Sequence, residues 1–174
     1  MATANHLDPP LDVLAASPRR ARQQFETMRQ LASRSPQAAV DAVARQAARA
    51  VVSAIDEAIL QHHEVGQGVL FPELIESMAG SDPVCLREMI AGLSEDHRAL
   101  ASAWRRLRPG FAALAEGRPA SLGADDVAAL IAQCERLFRR EDDELLPMAD
   151  RLLSDEARHR IAAALQARRR DPTT

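Results

Sequence analysis

Between Leu86 and Leu114 the inward-type positions recur at strictly alternating intervals of four and three: Leu86, Ile90, Leu93, His97, Leu100, Trp104, Leu107, Phe111 and Leu114. That spacing draws one stripe along an α-helix. A helix carrying so long a stripe belongs in a bundle, where other helices cover it. Two further segments show the same pattern. One runs Val52, Ile55, Ile59, His62, Gly66, Val69, and the other Val127, Ile131, Cys134, Phe138, Glu141, Leu145, Met148, Leu152. A shorter stripe of Ala21, Phe25, Met28 and Leu31 precedes them. Long helices with short connections lie antiparallel to their neighbours, so the expected fold is all-α, an up-down-up-down four-helix bundle. Composition agrees: Ala, Leu and Arg dominate, all of them good helix formers, and aromatics are 3% with no Tyr.

The chain has 174 residues, enough for one domain with a real core. Residues 1–16, with Pro9-Pro10 and little periodicity, read as a flexible N-terminal arm. Residues 17–170 read as one bundle domain. Ser17-Pro18 and Ser35-Pro36 each look like an N-cap followed by Pro at the first helical position. They predict helices from Pro18 to about Ser33 and from Pro36 to about Gln67. Pro72 should kink or restart the second helix. Ser81-Asp82-Pro83 starts a third helix reaching about Glu116, with Pro109-Gly110 expected to bend or briefly interrupt it. A fourth helix runs from about Ala124 to Leu153, kinked at Pro147. A short extra C-terminal helix follows from Ser154-Asp155 to about Arg168.

Several function classes are disfavoured. The net charge is -3, which leaves no global nucleic-acid footprint. No apolar run approaches a membrane span and no signal peptide is expected, so the cytoplasm is the default location. All 22 basic residues are Arg, a bias that points to a GC-rich bacterial genome. Cys85 and Cys134 lack metal-type spacing and read as two small buried residues. No Ser or Cys has a base and orienting partner by spacing, and no Gly-rich loop could cradle a phosphate. A homodimer is compatible with such a bundle, and no particular protein partner is indicated. The Arg168-Arg169-Arg170 run would suit an acidic one.

Three ligand-type side chains, His62, His97 and Glu141, fall on three different inward stripes, each bounded by apolar residues. A buried carboxylate needs a partner, because an isolated one is very costly. A metal or a protonated His would serve, and so would an Arg on a neighbouring helix. Taken singly, an inward His is ordinarily a satisfied core residue and a late-helix Glu a salt-bridged wall residue. Their coincidence on three stripes points to a shared site. His63, Glu64, Asp96 and Asp142 flank the three.

Two segments also share one grammar: His62-His63 followed by Leu70-Phe71-Pro72, and Glu141 followed by Leu145-Leu146-Pro147. With the Leu93-Ser94-Glu95-Asp96-His97 segment between them, and in this order, the chain resembles the hemerythrin-like family of His-His-Glu cation-binding bundles over roughly residues 18–153. The resemblance implies a non-haem diiron centre held by His and carboxylate ligands from all four helices, binding dioxygen, nitric oxide or iron itself. Several of the implied ligand positions cannot coordinate. Gly66 or Gln67 stands where a carboxylate should follow the His pair, Leu137 where a His should precede Glu141, and Phe25 and Met28 on the first stripe. Ala101 follows His97 by one turn. His62 or His63, His97 and Glu141 remain as metal ligands, enough for one iron or zinc ion in a sensing or gas-binding role. The alternative is a metal-free helical bundle acting as an interaction or regulatory module.

Overall fold

The computed structural model describes residues 9–78 and 84–170, without the side chains of residues 9, 10, 61, 63 and 168–170. Helix α1 is Pro9–Ala32. Helix α2 occupies residues 42–77, in which the α-helical segments Ala42–Asp56, His62–Val65 and Phe71–Ser77 alternate with π-helical turns at Glu57–Gln61 and Gly66–Leu70. Helix α3 is Val84–Ala115. Helix α4 occupies residues 124–152, with a π-helical turn at Glu141–Leu145 between Ala124–Arg140 and Leu146–Leu152. Helix α5 is Asp155–Arg170. No strand occurs among the described residues. α1 packs on α2 and α4, and α3 packs on the same two, which closes a four-helix ring. α5 lies against α1 and the second π turn of α2.

The first helix is already formed at Pro9, upstream of Pro18, so residues 9–16 of the expected arm are helical. Leu11, Leu14 and Ala15 are buried in the core, and that apolar burial extends the helix upstream of the Ser17-Pro18 signal. Residues 1–8 of that arm lie outside the described residues. Ser35-Pro36 also plays a different part from the one its composition suggests. The Ser35 carbonyl accepts from the Ala38 amide at 3.0 Å, a turn with Pro at its second position. The N-cap of α2 is Asp41, whose carboxylate accepts from the Ala44 amide at 2.7 Å. The expected start at Ser81-Asp82-Pro83 lies outside the described residues.

Pro109 does not interrupt α3, which is assigned as one unbroken helix. The glycine after it matters for packing: a Cβ on Gly110 would sit 2.6 Å from Leu122 Cδ2. α3 ends in a Schellman motif. Gly117 takes φ +83°, its amide bonds the Leu114 carbonyl at 3.0 Å, and the Arg118 amide bonds the Ala113 carbonyl at 2.9 Å. The α4 boundaries agree with expectation. The C-terminal helix starts where Ser154 Oγ accepts from the Ala157 amide at 3.2 Å. Arg160 ties α5 to α2 through a two-pronged pair with Glu73 at 2.7 and 2.6 Å. Cys134 is buried as expected, whereas Cys85 is exposed on the first turn of α3.

Phe138, Phe111 and Trp104 are fully buried, and the Trp104 and Phe111 rings meet at 5.7 Å. The indole of Trp104 donates to Asp56 Oδ1 at 2.7 Å, and Arg108 binds the same carboxylate at 2.8 Å. Arg20 of α1 pairs with the adjacent Glu57. The end of the first α-segment of α2 is therefore fastened to both neighbouring helices just before its π turn. Asp56→Ala would leave the buried indole N–H without its acceptor, which costs about 2 kcal/mol. Urea unfolding of the variant should show that loss with an unchanged slope.

Candidate metal centre

Three helices deliver one residue each. His62 follows directly on the Glu57–Gln61 π turn of α2, its amide bonded to the Glu57 carbonyl. His97 lies mid-way along the regular α3. Glu141 opens the π turn of α4, its carbonyl accepting from the Leu146 amide five residues on. Turns of this kind recur at functional sites, and here they adjoin two of the three side chains.

The side chains converge on one carboxylate oxygen. Glu141 Oε1 is 3.1 Å from His62 Nε2 and 3.0 Å from His97 Nε2. The His rings are 6.0 Å apart, tilted by 31°. Glu141 and His97 are 3% and 2% exposed. His97 Nδ1 donates to the Leu93 carbonyl at 2.8 Å, which leaves Nε2 as the nitrogen that faces the cluster. The Leu14 backbone lies beside His62 and favours its charged form. Pro18 explains why that backbone is available: without an N–H, residue 18 cannot occupy the Leu14 carbonyl as an ordinary helix would. Pro18, Leu14 and Ala15 line a pocket beside the three side chains, together with Gly66, Leu70 and Phe71 of α2 and Leu145 and Leu146 of α4.

The expected site residues divide as follows. His62, His97 and Glu141 meet. The side chain of His63 lies outside the described residues. Asp96 and Asp142 are exposed and bind arginines: Arg140 to Asp96 at 3.0 Å, Arg22 to Asp142 at 2.9 Å. These pairs clamp the helix on either side of Glu141 to α3 and α1. Arg22 also stacks over the Phe138 ring at 5.4 Å. The Glu141 carboxylate thus takes imidazole partners, and the arginines take the carboxylates next in sequence to His97 and Glu141. Leu14 is the contributor that sequence reasoning missed, because its segment read as an arm. A proline inside a helix, which frees the carbonyl four residues back, was the available signal.

The donor set fits a metal ion. Two imidazole nitrogens and a carboxylate oxygen lie within 4.8 Å of one another. Bonds of ~2.1 Å in a tetrahedral site put donors about 3.4 Å apart, so small side-chain movements would close the set around an ion. Glu141 Oε2 is buried without a hydrogen-bond partner among the described residues. A buried oxygen in that state suits a cation better than it suits an apolar wall. No second cluster of this kind occurs among the described residues. Phe25, Met28, Ala101 and Leu137 are all buried apolar residues.

The family model described as the hemerythrin HHE cation-binding domain matches residues 10–149, and the chain belongs to that family. No curated protein and no solved structure matches.

The cluster sets the titration of its members. Burial raises the Glu141 carboxyl, but the charge and hydrogen bonds of His62 and His97 outweigh it and hold the group down to about 2. Burial lowers His62, while the charge and hydrogen bond of Glu141, the Leu14 backbone and Asp142 carry it above its usual value. A depressed carboxylate adds stability that is present above its unfolded value of 4.5 and lost as pH falls towards about 2. A raised imidazole adds stability that is full below 6.5 and lost as pH climbs through its folded value. The stability difference between chelator-stripped wild type and Glu141→Gln should therefore be greatest between 4.5 and 6.5. Urea unfolding across pH 2–9 should show it shrinking on both sides.

Proposed function

We propose that this chain, as a member of the hemerythrin HHE family, holds a single metal ion, iron or zinc, through His62 Nε2, His97 Nε2 and the Glu141 carboxylate. The observation that carries the reading is the meeting of three ligand-type side chains from three helices on one buried point. Two His and one carboxylate form a mononuclear set with open positions. The apolar residues at 25, 28, 101 and 137 favour one ion over two.

The chain's own groups prepare such a site. The Leu93 carbonyl fixes the His97 tautomer with Nε2 turned inward. The Arg140–Asp96 and Arg22–Asp142 pairs limit the movement of the turn that carries Glu141. Apolar side chains of Leu14, Leu70, Phe71, Leu145 and Leu146 line the pocket beside it. When bound, the ion would supply open coordination positions to a small ligand, and a sensing or gas-binding role follows from that chemistry.

A second reading keeps the bundle metal-free, as an interaction or regulatory module. It draws on the same apolar substitutions and on the direct contact of His97 with Glu141 Oε1 at 3.0 Å, which gives that oxygen a partner without an ion. Elemental analysis separates the two, on protein purified without chelator or affinity metal. The expected result is about one iron or zinc per chain in wild type and none in His97→Ala. Two irons per chain would mean further ligands coordinate. No stoichiometric metal in wild type would leave the module reading. A bound ion at a hundred times its Kd should also stabilise the fold by about 2.7 kcal/mol, measurable as a higher Tm that EDTA reverses.

A further inference from the structure

We infer that Pro72 and Pro147 are positioning residues for the His62–His97–Glu141 cluster, each fixing the place of a widened helical turn whose surplus residue lets the cluster and the flanking core face inward together. The inference rests on the metal-binding reading above.

In both turns the hydrogen bond spans five residues instead of four. The Phe71 amide bonds the Gly66 carbonyl, and the Leu146 amide bonds the Glu141 carbonyl. In both, the next residue is proline, at the start of the following α-segment. An ordinary α-turn there would drive the proline ring into the carbonyl four residues back and leave that carbonyl without a donor. The wider turn removes the clash.

The surplus residue shifts the phase of each helix by one position. On α4 the buried series runs Val127, Ile131, Cys134, Phe138, Glu141 and then Leu145, Leu146, Ala149, Leu153, with Met148 and Leu152 only half-buried. An uninterrupted α-helix in phase with Glu141 would have buried Met148 and Leu152. On α2 the series passes from Ile55 and Ile59 to Val65 and Gly66, then Leu70, Phe71 and Leu74, leaving Val69 half-buried. A surplus residue cannot vanish from a helix packed at both ends; it can only slide. Sliding past Glu141 towards the N-terminus would put that residue in phase with the C-terminal half, about 100° away. The same movement on α2 would turn His62. Pro18 and Pro109 accept that cost inside unbroken helices; at 72 and 147 either slide would add it, which biases the turn to the far side of the ligand. The first π turn, Glu57–Gln61, has no proline after it. There the Asp56–Arg108 and Glu57–Arg20 pairs hold the backbone instead.

The test measures metal affinity and Tm together in Pro72→Ala, Pro147→Ala and Pro109→Ala. Pro109 lies inside α3 with no widened turn before it. The expected result for the first two is metal affinity weaker by about 10-fold or more, the scale of lost ligand-orienting contacts. Tm should be equal or higher, since alanine suits a helix better than proline. Pro109→Ala should keep wild-type affinity. Deleting the exposed Asp143 in the Pro147→Ala background removes the surplus residue and should restore affinity. A merely structural role for the prolines predicts that Tm and affinity fall together, and that outcome, or unfolding, overturns the inference. Unchanged affinity in both variants does so too. Wild type that binds no metal defeats the metal-binding reading alone. The inference is then read from nuclear Overhauser contacts between the His62 ring and the Glu141 side chain in metal-free protein. Their loss in Pro147→Ala supports it, and their persistence overturns it.

Discussion

A carboxylate buried at the centre of a helical bundle must be met by partners, and Glu141 dictates much of how this molecule is arranged. Desolvating that charge is affordable only if α2 and α3 both bring a donor to it. They do so at 3.1 and 3.0 Å through side chains 79 and 44 residues away along the chain. The Leu93 carbonyl holds His97 at 2.8 Å, and the Leu14 backbone lies beside His62 and favours its charged form. The first helix, which contributes no side chain to the cluster, borders it through Leu14, Ala15 and Pro18. The surface pairs on either side of Glu141 extend the same logic outward, fastening α4 to both of its neighbours.

The bundle and the three-residue cluster were legible in the sequence because apolar spacing reports helix phase. Ile55, Ile59, Leu93, Leu100, Cys134 and Phe138 lie buried where the stripes put them, and His97 and Glu141 lie among them. Legibility ended where the helix ceased to be regular. After each widened turn the stripe moves by one residue, so Leu70 replaces Val69 and Ala149 replaces Met148 as the buried position. Periodicity arguments assume a constant 3.6 residues per turn, and no apolar count reveals a single surplus residue. The prolines at 72 and 147 did mark the places, but they read as kinks. The start of α1 was lost for a related reason. Ser17-Pro18 has the composition of a helix start, and only the burial of Leu11 and Leu14 shows the helix passing through it.

The family match and a cluster of three ligand-type residues occur in one chain. Leu137, Met28 and Phe25 fill with carbon the places where the family pattern would put further donors, and buried polar clusters can be replaced in this way at little or no cost in stability. What remains is one carboxylate and two imidazoles in contact. Such a cluster has the donors of an ion pair and the composition of a metal site, so its two readings differ in what occupies the space between the donors rather than in the fold around them.

Trp104 gives this chain an optical property. It is the single tryptophan, and there is no tyrosine, so nearly all ultraviolet emission comes from one indole. That indole is fully buried and donates to Asp56 at 2.7 Å, on the residue that immediately precedes the π turn leading to His62. Movement of that turn alters the carboxylate beside the ring and with it the local field on the excited state. The protein therefore carries its own fluorophore within one helical segment of the cluster, with no competing signal from elsewhere in the chain.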